Sequence, residues 1–136
     1  MWFRCFELFI FLDVSKGTVG GIAMNNKIKE YLNQNKSLTF NNLLFSYIDA
    51  EGYKDAEVYK RADIDRKLFS KIRCNSNYIP KKNTVIKLCL SLSLDKNRFN
   101  NLLSSAGYSL SKNNNFDLVI SYCIENDIYD INIINE

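Results

Sequence analysis

From Leu38 onward apolar residues recur at helical spacing, and the segments between them are short and polar. Phe40, Leu43, Leu44, Tyr47 and Ile48 follow the i, i+3, i+4, i+7, i+8 rhythm of one buried stripe. The spacing predicts a first helix capped by Ser37 or Thr39 and stopped by Gly52. Val58, Tyr59 and Ala62 mark one face of a short second helix, with Asp55 as its capping candidate. Asp63 then stands where a tight turn needs a positive φ, which Asp adopts more readily than most side chains. Asp65 is placed to cap a third helix that turns Leu68, Phe69 and Ile72 inward and Arg66, Lys67, Ser70, Lys71 and Arg73 outward.

Cys74 to Lys81 reads as a polar loop carrying Pro80, the only proline. Val85, Ile86, Leu88, Cys89, Leu90 and Leu92 make the fourth helix apolar on most sides, as a central core helix should be. Ser93 or Asp95 caps a fifth, with Phe99, Leu102 and Leu103 inward and Gly107 as its stop. Asn113 caps a sixth running through Phe116, Val119, Ile120, Cys123 and Ile124. The alternation from Ile128 to Ile134 fits a short strand and equally a helix end packed on the domain. The expected fold is all-α, with five to six helices. Lys54 to Arg73, two short helices and a turn with the second helix basic on its outer side, has the helix-turn-helix pattern.

At 136 residues the chain suffices for one core of modest size, and its 46% hydrophobic and 24% charged content argues against disorder. Residues 38–110 are expected to form the domain and 111–136 a C-terminal helix with an acidic tail. Residues 24–37 read as a polar lead-in and 1–23 as an extension outside the fold. Trp2 to Leu12 is an apolar run broken by Arg4 and Glu7, too short to span a bilayer and lacking a small-residue cleavage site. Codons for Gly20-Gly21-Ile22-Ala23 can hold a purine-rich ribosome-binding site just before Met24, so residues 1–23 are expected to be upstream sequence read in frame. The alternative is a short segment that lies on a membrane surface or a partner.

The net charge of +3 is segregated along the chain. Lys54 to Arg98 holds twelve Lys and Arg against five Asp and Glu, whereas Asn113 to Glu136 holds five acids and no base. A basic middle suits a phosphate-facing surface and equally a solvated helix face. Cys5, Cys74, Cys89 and Cys123 are widely spaced and histidine is absent, so nothing has the pairing of a zinc site. Reduced cysteines and a cytoplasmic location are expected. With no histidine, no glycine-rich phosphate loop and no cysteine beside a candidate base, no catalytic residue, metal or cofactor is expected.

Glu57 to Arg73, followed by Thr84 to Leu94, resembles the Xre/Cro/C1 (lambda-repressor-like) helix-turn-helix family over about Leu38 to Leu103. Asp55 to Ile72, Leu102 to Leu110 and Asn126 to Asp130 are more closely similar to a small helical domain of Gram-positive ADP-ribose-processing proteins, which occurs alone or after a macrodomain. Domains of that kind continue a little beyond the equivalent of Glu136. The first resemblance implies a regulator of a bacterial or mobile-element gene that binds double-stranded DNA, as a homodimer on paired half-sites. Arg66, Lys67, Ser70 and Lys71 would read base edges from the major groove. Lys54, Lys60, Arg73, Lys81 and Lys82 would meet phosphates. Three residues depart from the family pattern: Asp55 in place of a Gln near the DNA backbone, Tyr59 in place of Ala, and Asp65 in place of Ser. They keep open an alternative on the same fold, a protein-interaction module such as an adaptor, an antitoxin-like partner or a phage-encoded inhibitor of host defence.

Overall fold

The computed structural model describes residues 25–135 and, before them, the backbone of three two-residue strands. Strands β1 (Leu12–Asp13), β2 (Thr18–Val19) and β3 (Ile22–Ala23) form an antiparallel ladder with Leu12 opposite Val19 and Thr18 opposite Ala23. Strand backbone apart, the reading of residues 1–23 as upstream sequence lies outside the described residues. The chain divides into two compact units, Met1–Ser37 and Leu38–Glu136. In the first, the polar lead-in is helical: α1 spans Asn26–Asn35, capped by Asn25, and buries none of its residues.

The second unit contains α2 (Phe40–Glu51), α3 (Asp55–Arg61), α4 (Arg66–Cys74), α5 (Lys82–Ser91), α6 (Lys96–Ser105), α7 (Asn115–Glu125) and α8 (Asn132–Asn135). It is all-helical among the described residues, with seven helices where the hydrophobic pattern predicts five to six. The extra one is α8, a single helical turn over Asn132–Asn135 at the end of the ambiguous Ile128–Ile134 stretch, whose first residues are neither helix nor strand. Starts are set by side chains that accept a hydrogen bond from the first turn's free N–H groups. Thr39 accepts from Asn42, Asp65 from Lys67, Asp95 from Arg98 and Asn114 from Phe116. The cap of α6 is thus Asp95 and not Ser93, and that of α7 is Asn114 and not Asn113. Asp55 is not a cap either; Lys54 precedes α3, and its backbone N–H donates to Glu57 at 3.0 Å.

Helix ends in this unit repeat one device. Gly52, Asp63, Ser93, Gly107 and Asp127 all have φ between 51° and 82°. In each case the N–H of that residue donates to the carbonyl three before it, and the next N–H donates to the carbonyl five before it. These are Schellman closures, in which a left-handed residue satisfies carbonyls that the helix leaves free. The residue that follows is apolar in every instance: Tyr53, Ile64, Leu94, Tyr108 and Ile128. Polarity alone makes Ser93 a capping candidate, but its place between buried Leu92 and Leu94 makes it the turn that ends α5.

The core gathers around α5, whose Val85, Ile86, Leu88, Cys89 and Leu90 are all buried. Helix α6 packs on α5 and α2 through Phe99, Leu102 and Leu103, while Val58 and Ala62 bring α3 onto α5. Each fully buried Leu, Ile or Phe contributes on the order of 1.5–3 kcal/mol. Helix α7 joins the core through Ile120 and Ile124, while Val119 is 46% exposed. With Leu118 and Tyr122 it belongs to the outer face of α7.

Candidate nucleic-acid interface

Helices α3 and α4 are joined by the turn Ala62–Asp65. Asp63 takes φ 52°, as its position in the sequence suggests, and buried Ile64 follows it into the core. Asp65 then caps α4, with its Oδ1 3.2 Å from the Lys67 amide nitrogen. Inside, Phe69 meets Phe45 edge-on with ring centres 6.1 Å apart and Tyr59 at 5.8 Å. The bulk of Tyr59, where a small residue is usual in the resemblance, therefore fills the space between α3 and α4. The buried Asn41 amide donates to the carbonyl of Ile72 and fixes the far end of α4 to α2.

This packing leaves Arg66, Lys67, Ser70 and Lys71 together on the exposed face of α4. Arg66 and Lys67 make no ion pair with any described residue, and the Lys71 ammonium lies 4.4 Å from the ring centre of Tyr78. Lys54, Lys60 and Lys81 are exposed and make no such pair either. The remaining two of the expected phosphate ligands already have internal partners. Arg73 forms an ion pair with Asp55 and stacks on Phe45, its guanidinium carbon 3.9 Å from the ring centre. Lys82 donates to Asp117 at 2.7 Å.

Asp117 is 1% exposed, and its Oδ2 also accepts from the Ser111 N–H at 2.8 Å. Burial acts to raise this carboxyl. The hydrogen bonds from Lys82 and Ser111, together with the charge of Lys82, outweigh burial and hold it below the ordinary carboxylate value. Neither Asp55–Arg73 nor Lys82–Asp117 was visible in the sequence, because the partners are 18 and 35 positions apart. The one signal was Asp117 itself, a lone acid in an apolar run. At the turn, Asn135 of α8 reaches Asp63 at 3.4 Å.

Among the described residues no group of three His, Cys, Asp or Glu could hold a metal ion. Burial pushes the thiols of Cys89 and Cys123 up, the latter helped by Asp130, so both stay protonated, while Cys74 is exposed at the end of α4. No helix among the described residues is long and apolar enough to cross a membrane. Compared with models of protein families, with curated proteins and with solved structures, the chain matches none.

Proposed function

We propose that Leu38–Glu136 is a lambda-repressor-like helix-turn-helix domain that binds double-stranded DNA with α4 in the major groove, as a transcriptional regulator and not an enzyme. One observation carries this reading: Arg66, Lys67, Ser70 and Lys71 share the exposed face of a helix whose other side is locked by Phe69 and Ile72. Arg66 is the residue best suited to a guanine edge, through paired hydrogen bonds to O6 and N7. Lys54, Lys60 and Lys81 are the bases left for phosphates, whereas Arg73 and Lys82 already pair with Asp55 and Asp117. The acid at Asp55 is compatible with a nearby phosphate backbone because Arg73 neutralises it.

A salt titration of duplex binding tests the reading. Each phosphate contact contributes about −0.9 to the slope of log K against log salt, so three lysines give about −2.7. Absence of affinity for duplex DNA at low salt, with the helical fold intact, overturns it. The second reading, a protein-interaction module, is favoured by Asp63 and Asp65, two exposed carboxylates at the groove-facing end of α4. That second reading is the one left by a folded domain inert to DNA.

A further inference from the structure

Arg66 and Lys67, on the exposed face of α4, neither pair with a carboxylate nor lie over an aromatic ring among the described residues. Lys71, on the same face, is held: its ammonium lies 4.4 Å from the ring centre of Tyr78. Tyr78 is the only aromatic residue between Asn75 and Lys81, a segment that reads in the sequence as a polar loop. The fold fixes it from both sides. Its ring is half-buried against the core, and its N–H donates to the Asn75 carbonyl at 3.1 Å. Two residues on, the carbonyl of buried Pro80 accepts from the Tyr108 hydroxyl at 2.9 Å.

We propose that Tyr78 is a positioning residue, whose ring sets where the Lys71 ammonium stands on the face that α4 presents to DNA. The inference rests on the reading of α4 as the groove helix. Arg73 shows the contrast: it too lies over a ring, that of Phe45, but Asp55 neutralises it. A carboxylate partner fixes a cation and cancels its charge. A ring face attracts the cation through its quadrupole and leaves the charge and the N–H donors to a ligand. A long side chain that is free beforehand loses rotamer freedom when a complex forms, and one already held loses less. Lys71 therefore meets the duplex already ordered, whereas Arg66 and Lys67 are ordered by it.

Two measurements on the full chain separate this inference from the DNA reading itself. In NMR spectra without DNA, the ring current of Tyr78 should move the Lys71 ε-methylene protons upfield, and Tyr78→Leu should abolish the shift. An unshifted Lys71 in the wild type overturns the inference whatever the protein binds. The second measurement uses a duplex selected by the wild-type chain from a random pool. Tyr78→Leu should bind it about two- to fivefold more weakly, and Tyr78→Phe should bind as the wild type does. In a Lys71→Ala background, Tyr78→Leu should have no further effect. If Tyr78→Leu loses helicity, Tyr78→Met takes its place in both measurements. Full affinity in the folded variant overturns the inference and leaves the DNA reading standing. So does a loss that Tyr78→Phe shares or that persists without Lys71. A wild-type chain that binds no duplex removes both.

Discussion

Ser93 and Gly52 occupy equivalent places at the ends of α5 and α2, yet only one is a glycine. A side chain in the left-handed region crowds its own carbonyl at a cost of about 1–2 kcal/mol. Part of that cost is offset because glycine loses more freedom on folding. Ser93→Gly is therefore expected to raise stability by about 0.5–1 kcal/mol, seen as a higher urea midpoint at unchanged slope. Gly52→Ala is the converse. Nothing lies within 4 Å of a Cβ built there, so its loss of about 1 kcal/mol would come from backbone conformation alone. A fall much larger than that would mean the closing turn of α2 does more than relieve strain. Gly52, Asp63 and Gly107 were legible as stops, whereas Ser93 was not, since its residue type suits a cap and a turn alike. The adjacent apolar residue decides between them: buried Leu94 requires the chain to reverse at Ser93 and leaves Asp95 to start α6.

Helix α5 is buried nearly all round and forms the centre of the core. Leu88→Ala should cost about 2–5 kcal/mol as a cavity opens, and Phe69→Ala, which removes the contact of α4 with Phe45 and Tyr59, a similar amount. Thermal melting reads both, and an unchanged midpoint would remove these residues from the core. Helix α7 is held differently, through Asp117 and Lys82. The Asp117 carboxyl is depressed below 3.8, so its contribution is present above that pH and is lost as pH falls through the depressed folded value. Wild-type stability should drop at that acid limit. Asp117→Asn should be less stable at neutral pH, by about 1–3 kcal/mol, and should flatten the acid limb. An equally steep acid limb in the variant would assign it to other carboxylates. Periodicity alone located α2, α5 and α6, because their apolar stripes face a single core. It gave α7 no inner face, because that helix is apolar on more sides than it buries: Ile120 lies inward and Val119 outward.

Across the whole molecule the segregation of charge takes on a different meaning once the partners are known. Of the basic middle, Arg73, Lys82, Lys96 and Arg98 are committed to ion pairs with Asp55, Asp117, Glu125 and Glu51. What remains outward near α4 is Arg66, Lys67, Lys71 and the flanking lysines. Arg66→Ala should leave melting unchanged and lower affinity for a preferred duplex by about 1–3 kcal/mol, with little effect on other sequences. Lys81→Ala should weaken all duplexes alike and make the salt slope shallower by about 0.9. Equal losses across sequences for Arg66→Ala would place it among the phosphate contacts. The α4 face was legible in advance because exposure follows from local periodicity. The roles of Arg73 and Lys82 were not, because an ion pair depends on which distant segment the fold brings alongside.

The five Schellman closures also bear on how fast this unit acquires its structure. Each fixes a helix boundary within six consecutive residues, so the end of one helix and the direction of the next are decided without waiting for remote parts of the chain. An all-helical unit makes most of its contacts between residues close in sequence, and helical domains of that kind fold in microseconds to milliseconds. Most of the refolding amplitude of Leu38–Glu136 should then appear in a fast phase, with the long-range ties of Arg73 and Lys82 closing only after the helices have their ends.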